Sequence, residues 1–275
     1  MNTIDLTICI YFSMDVEKYP LRNIVELTNK WSIYVNKEIE YLSYTMVNDK
    51  GKQISKNVKF SEKNLDVLYQ IEKNKKLKNV ELLNLSDGAY LHSRDTDLSM
   101  SFSYPMEIFD LHALIFNFNT DVLSINNNEN LFTMLEELFD LLENIHAIIK
   151  YGIVFPMERI KFPVFYASGI SSQELTEKEK EKSFLWGNYG RQCKEKIWEV
   201  FWGNILTREH LRSNNITTAI ENIVGKDNVK QIFEDVFIIT YPLNVFTYKS
   251  EKNKFNIYHD QLTALFEQYN LIISG

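Results

Sequence analysis

The chain has 275 residues, 45% of them hydrophobic, so it is long enough to bury the core of one large domain or two modest ones. Its net charge of −7 argues against a nucleic-acid partner, because binding a phosphate backbone requires a basic face. Cys9 and Cys193 are far apart and lack metal-ligand spacing, which predicts no disulfide framework and a cytoplasmic location.

Two strand–helix–strand patterns are predicted in the first 155 residues. Alternating apolar residues predict strands at 6–12, 41–47, 81–85, 98–104, 113–119 and 147–155. Helices are expected after Pro20, after a Ser61 cap, and over Glu129 to Glu143, where leucines recur at helical spacing. These patterns predict an α+β fold, an antiparallel or mixed sheet with helices packed on one face, possibly built from two related strand–helix–strand halves.

The composition changes after Pro163, where glutamates begin to alternate with lysines. This charged segment is typical of a solvated helix or loop. We therefore expect a single domain over 1–275, with possible sub-structures at 1–163 and 164–275. Acidic residues here and the aromatic residues that follow could bind a protein partner, since interfaces favour Tyr and Trp. These candidate contacts are Glu174, Glu177, Glu181, Trp186 and Tyr189.

The most unusual stretch spans 184–211 and contains Trp-Gly-Asn twice, at 186–188 and 202–204. An extended segment is predicted over 197–202, followed by a change of direction, because Gly accepts positive φ and Asn can bond its own backbone. A helix capped by Thr207 should follow. Packing in the core, with the indole N–H groups bonded to carbonyls, is the interpretation favoured for both later tryptophans. The residues of this structural motif are Trp198, Trp202, Gly203, Asn204, Thr207, Glu209 and His210.

The C-terminal region predicts a helix over 216–224 that stops at Gly225, then a hairpin of 229–233 and 236–241. A polar connection over 249–254 and a short closing helix over 261–269 complete the chain. No segment approaches the roughly 20 apolar residues of a membrane helix, and the N-terminus lacks the positive start of a secretory leader. No membrane association is expected.

No motif with a mechanistically required spacing predicts a cofactor or a metal. The phosphate loop, the dinucleotide fingerprint, the zinc-protease pair and the nucleophile elbow are all missing from the sequence. The best catalytic candidate is the run His92-Ser93-Arg94-Asp95, which places a base, a hydroxyl, a cation and a carboxylate together. A small-molecule enzyme that uses this run is therefore the alternative to a protein without catalytic activity.

The segment IWEVFWGNILTREHL, 197–211, resembles the signature of bacterial immunity proteins from polymorphic toxin systems. It is most similar to the immunity protein 52 family, with type VI secretion immunity proteins as looser relatives. The first Trp-Gly-Asn is not part of that signature. The resemblance implies a cytoplasmic, non-catalytic protein that binds a cognate toxin stoichiometrically and neutralises it. It identifies no toxin-binding residues, and the sequence leaves the oligomeric state open. An acidic inhibitor would associate faster with a basic toxin.

Overall fold

In the computed structural model, the described residues are 4–14, 21–47, 52–73, 80–86, 98–103, 111–121, 127–158 and 190–273. The chain divides into a middle unit, Phe12–Ile148, and a terminal unit, which joins Met1–Tyr11 to Ile149–Gly275. The predicted sub-structure boundary after residue 163 lies outside the described residues. The single-domain organisation stays a prediction.

Ten strands and five α-helices are formed by the described residues. In chain order they are β1 (Ile4–Ser13), α1 (Leu21–Val35), β2 (Tyr41–Val47), β3 (Gln53–Lys59), α2 (Glu62–Lys73), β4 (Val80–Ser86), β5 (Leu98–Ser103), β6 (His112–Asn119), α3 (Asn128–Asn144), β7 (Ile148–Glu158), β8 (Gly203–Thr207), α4 (Ile216–Val224), β9 (Val229–Phe233), β10 (Val236–Thr240) and α5 (Tyr248–Gln268). The predicted α+β class is confirmed.

Each unit has its own run of neighbouring strands. In the middle unit the order is β3-β2-β4-β5-β6, and every neighbouring pair is antiparallel. In the terminal unit the order is β1-β7-β8-β10-β9, and β8 and β10 each pair antiparallel with both neighbours. Antiparallel neighbours can be joined by short connections, which suits a chain whose strands are close in sequence.

Aromatic side chains build the core of the middle unit. Trp31 of α1 is fully buried, and its ring centroid lies 3.9 Å from that of Phe116 and 5.3 Å from that of Phe118 on β6. Leu131, Leu135 and their neighbours form the buried stripe of α3, as the helical spacing predicted. Such aromatic contacts add to the burial of apolar area that stabilises the core.

Two elements differ from the sequence predictions. Strand β3 was not predicted, because it carries little apolar alternation and pairs with β2 through polar contacts such as Ser43–Asn57 and Thr45–Ser55. The polar connection predicted over 249–254 is wrong, since these residues are helical apart from a kink at Glu251 within α5. Phe255, Leu262 and Phe266 bury one face of that helix, and this tertiary packing outweighs the polar composition of its first turns.

Candidate functional site

The residues predicted to bind a partner lie in a part of the chain that the structure does not describe. Glu174, Glu177, Glu181, Trp186 and Tyr189 all fall within 159–189, outside the described residues. The alternative catalytic run, 92–95, falls within 87–97 and is likewise outside them. Both assignments stay predictions.

The segment around the second Trp-Gly-Asn has a different secondary structure from the one expected. The extended strand predicted over 197–202 is wrong, because only Ile197 there forms a bridge, to Ile272. Gly203 and Asn204 do not end a strand but begin β8. The helix predicted after Thr207 is wrong as well, since 208–211 form a turn and the next helix begins at Ile216.

Trp202 and Asn204 hold this corner of the terminal unit together by hydrogen bonds. The buried indole nitrogen Nε1 of Trp202 donates to the carbonyl of Leu243 at 2.9 Å. The amide nitrogen of Asn204 donates to the Phe201 carbonyl at 2.8 Å, and its Oδ1 accepts from the Phe201 N–H at 3.0 Å. Asn204 thus satisfies the backbone N–H and the carbonyl of Phe201, which lies before β8 and outside its strand pairing.

Gly203 is required here by space rather than by backbone conformation. Its φ is not in the left-handed region, which the sequence interpretation had assumed. A Cβ atom at this position would lie 3.0 Å from Cβ of Val154 on β7. Glycine therefore permits the close approach of β7 and β8.

His210 is buried and neutral, and it fixes the turn that follows β8. Its Nδ1 faces the backbone N–H of Thr207 at 3.1 Å and the Thr207 hydroxyl at 2.9 Å. Its Nε2 lies 2.9 Å from the carbonyl of Cys193 and donates to it. Burial lowers the pKa of His210 to about 4, so the imidazole carries no charge at neutral pH. The neighbouring Glu209 is exposed and lies 3.9 Å from Arg212.

Trp198 and the thiols of the terminal unit are also buried. The Trp198 ring lies 6.2 Å from that of Phe201. Burial raises the pKa of Cys9 and of Cys193 to about 12. Because the thiolate is the reactive form, both cysteines are inert packing residues at neutral pH.

A second polar group, which sequence reasoning missed, joins α5 to the segment before Trp202. The His259 Nε2 lies 3.5 Å from Glu199 Oε1, and its Nδ1 lies 3.1 Å from Asp260 Oδ1. Beside them the Tyr241 ring stacks on the Tyr258 ring, with centroids 5.8 Å apart. We name Glu199, Tyr241, Tyr258, His259 and Asp260 the α5 cluster. The partners of Tyr258 and His259 are distant in the sequence, since Tyr241 lies 17 residues before Tyr258 and Glu199 lies 60 residues before His259.

A surface groove of about 730 Å³ runs between α4 and α5. Tyr258 lies in its wall and connects it to the α5 cluster. The lining combines apolar side chains, amides and one lysine. It includes Asn222, Ile223, Leu243, Lys254, Ile257, Gln261 and Leu265.

The negative charge of the chain is concentrated in the middle unit. Phe12–Ile148 contains 21 acidic and 14 basic residues, whereas the terminal unit contains 16 of each, so the middle unit carries the whole net charge of −7. Helix α3 contains no basic residue. Its solvent face carries an acidic stripe at spacings of seven, four and three, formed by Glu129, Glu136, Asp140 and Glu143.

Two features are absent from the described ranges. No group of three or more His, Cys, Asp or Glu side chains among the described residues is arranged to hold a metal ion, the α5 cluster included. No helix among them is long and apolar enough to cross a membrane.

Comparison with solved structures finds proteins of similar fold. The Pseudomonas aeruginosa T6SS protein PA0821 superposes with a TM-score of 0.57 and 10% sequence identity over 99% of this chain and 74% of the other. At this identity the likeness establishes a shared fold. No protein-family model matches the chain, so the resemblance to the immunity protein 52 family has no support from that comparison. No curated protein matches it either. The fold thus links the chain loosely to a type VI secretion protein.

Proposed function

We propose that this protein is an immunity protein that binds a cognate bacterial toxin stoichiometrically and neutralises it in the cytoplasm. The observation that carries the proposal is the fold shared with a type VI secretion protein over 99% of the chain. The sequence of segment 197–211 resembles toxin-immunity signatures, but the strand and the helix expected of that signature do not form there, so the proposal does not depend on it. The finer assignment to the immunity protein 52 family belongs to this proposal alone.

The acidic stripe of α3 supports a basic partner. Asp140 and Glu143 lie in the last turns of the helix, where the helix dipole favours cations. Negative charge at that end lowers the stability of the helix, so we take it to serve a function. Attraction of a positively charged protein is such a use, because complementary fields speed association.

Neutralisation by binding requires no catalysis, and we propose that the protein has none. The alternative is an enzyme that uses His92 and Asp95. Replacing both with Ala separates the two possibilities. Protection should survive the double substitution if the protein acts by binding, and should disappear if that run is catalytic.

Co-expression with toxin genes encoded beside this one tests the proposal. A true partner should kill cells when expressed alone, should be tolerated together with this protein, and should co-purify with it at a fixed stoichiometry. A panel of neighbouring toxins that neither bind nor are neutralised would contradict the proposal.

The contribution of α3 is tested by charge reversal at Glu136, Asp140 and Glu143 to Lys. The association rate with the toxin should fall about tenfold or more at low salt, and the difference should shrink as salt is added. Reversal of three acidic residues of the terminal unit, Glu221, Asp227 and Glu267, is the matched control. Equal effects of the two triple variants would mean that net charge alone matters, not this helix face.

A further inference from the structure

One face of α5 lines the groove between α4 and α5 with a regular stripe of side chains. The α5 residues in the groove recur every three or four positions from Lys254 to Gln268, the spacing that places side chains on one face of a helix. The stripe covers about 21 Å of helix. It begins beyond the kink at Glu251 and differs from the face that Phe255 and Leu262 bury in the core. We name it the groove stripe.

The groove stripe presents apolar surface to solvent. The Ile257 side chain is 54% exposed, Ala264 is exposed and Leu265 is half-buried. Ile223 and Leu243 add apolar surface to the same groove. A single exposed isoleucine is ordinary, but apolar side chains gathered along a groove are typical of an interaction surface.

The charges around the groove favour a second copy of this chain over a charged partner. None of the described residues that line the groove is a carboxylate, and the cation Lys254 is paired with Glu251 of its own helix at 2.5 Å. The terminal unit as a whole has as many basic as acidic residues. Net charge therefore does not oppose the meeting of two terminal units.

The groove stripe is symmetric about Gln261. If two α5 helices pack antiparallel with Gln261 at the same level in both, residues equally distant on either side of it come together. Ile257 then opposes Leu265 of the second copy, four residues on either side, and both are aliphatic. Tyr258 opposes Ala264, three residues on either side, which places a large side chain against a small one. Helices pack closely through such complementary pairs.

The polar members of the stripe obey the same symmetry. Lys254 and Gln268 each lie seven residues from Gln261, so the ammonium of one copy can donate to the amide oxygen of the other at both ends. The two Gln261 amides can bond each other at the centre. An interface around a two-fold axis requires this self-complementarity, because the same surface serves both copies.

We propose that the groove between α4 and α5 is the interface of a homodimer, in which two α5 helices pack antiparallel about Gln261. The contact is limited to one groove in each copy, and small interfaces are weak. The dimer therefore dissociates on dilution. It forms without a toxin, so the inference goes beyond the proposed function and can fail independently of it.

Sedimentation equilibrium of the full chain tests the dimer. The average mass should rise with concentration towards twice the 32.5 kDa of one chain. Ile257→Glu should weaken association about tenfold or more, because each dimer would bury two new carboxylates. Ile33→Glu is the matched control, since it adds the same charge at a helical isoleucine that is 75% exposed in the middle unit. It should leave association unchanged.

Cross-linking tests the antiparallel register. Gln261→Cys places two thiols across the two-fold axis, so mild oxidation should give a disulfide-linked dimer. Asn256→Cys, also exposed but on another face of α5, should give little. The native thiols of Cys9 and Cys193 are fully buried and add no background.

A chain that stays monomeric at every concentration would overturn the inference. So would a dimer that Ile257→Glu does not weaken, or one that cross-links at position 256 as readily as at 261. A monomer whose Ile257→Glu variant fails to bind the toxin would assign the groove to the toxin instead, which overturns the inference and leaves the proposed function intact. A dimer that Ile257→Glu weakens and that cross-links at position 261 supports it.

Discussion

The buried side chains of Trp202 and His210 on one hand, and of Tyr241 on the other, differ in how their polar atoms are bonded. Around Trp202 and His210, the indole nitrogen and both imidazole nitrogens have partners at hydrogen-bond distance. About forty residues later the hydroxyl of Tyr241 is equally buried and has none among the described residues. Buried polar groups are normally paired, because losing water without a replacement costs about 1–3 kcal/mol.

Trp202 and His210 stabilise the fold through their hydrogen bonds, whereas the Tyr241 hydroxyl lowers its stability. The Trp202–His210 region contains the most unusual sequence of the chain, yet the indole and imidazole nitrogens of these two residues form hydrogen bonds within the protein. The α5 cluster looks ordinary in the sequence but contains the Tyr241 hydroxyl, which has no hydrogen bond among the described residues. Other buried atoms of the described residues, such as Trp31 Nε1 and Thr263 Oγ1, also make no hydrogen bond, so a missing bond marks a cost in stability and does not by itself mark a binding site.

The largest expected effect is that of His210→Ala. The substitution leaves the Thr207 N–H and the Cys193 carbonyl without their partner and creates a cavity. We expect the free energy of unfolding to fall by about 4 kcal/mol, measured by urea denaturation. Glu209→Ala, at the exposed neighbour, should change it by less than about 0.5 kcal/mol. A His210→Ala loss no greater than that of the control would show that the turn does not depend on the imidazole.

The same histidine should make stability depend on pH. Its pKa is about 4 in the folded protein and about 6.5 when unfolded, so only the unfolded chain binds the proton between these values. Protonation therefore favours unfolding, and stability falls as pH drops from 6.5 to 4, by about 3 kcal/mol in all. His210→Gln, which has no titrating group, should lack this component. Parallel pH profiles for the two proteins would contradict the assignment.

A smaller loss is expected from Gly203→Ala. The new methyl group meets Val154 at 3.0 Å, so β7 and β8 must move apart, at a cost of about 2 kcal/mol. Thermal unfolding of a double-mutant cycle with Val154→Ala measures the clash directly. The double variant should lose less stability than the two single variants together. If the losses of the two single variants are additive, the destabilisation by Gly203→Ala does not come from contact with Val154.

The fold could be predicted from the sequence where local pattern and burial agree. Helix α3 has its leucine stripe, and Gly225, with φ of +85°, ends α4 as expected. The predictions around Thr207 failed because a hydroxyl before Glu and His is also compatible with a tight turn. The hydrogen bond from His210 to the carbonyl of Cys193 favours the turn over the helix. Cys193 lies 17 residues earlier, so no local pattern contains this contact.

The candidate site was less predictable still. His259 and Asp260 are adjacent, but Glu199 is 60 residues before His259, and Tyr241 belongs to the segment after β10. The signal that marks the cluster is a missing hydrogen bond, and a sequence cannot show one. At Trp202 the favoured interpretation, a core indole whose N–H bonds to a carbonyl, is confirmed.

Tyr241→Phe gives the smallest expected change, and one of opposite sign. Removing a buried hydroxyl that has no partner among the described residues should raise the free energy of unfolding by about 1 kcal/mol, measured by urea denaturation. Tyr151→Phe is the matched control, because that buried hydroxyl donates to the Glu199 carbonyl at 3.4 Å and its removal should lower stability slightly. If both substitutions destabilise the protein, the Tyr241 hydroxyl is bonded internally and the two regions do not differ. If Tyr241→Phe stabilises the protein and Tyr151→Phe does not, the two buried hydroxyls differ in hydrogen bonding as the structure shows.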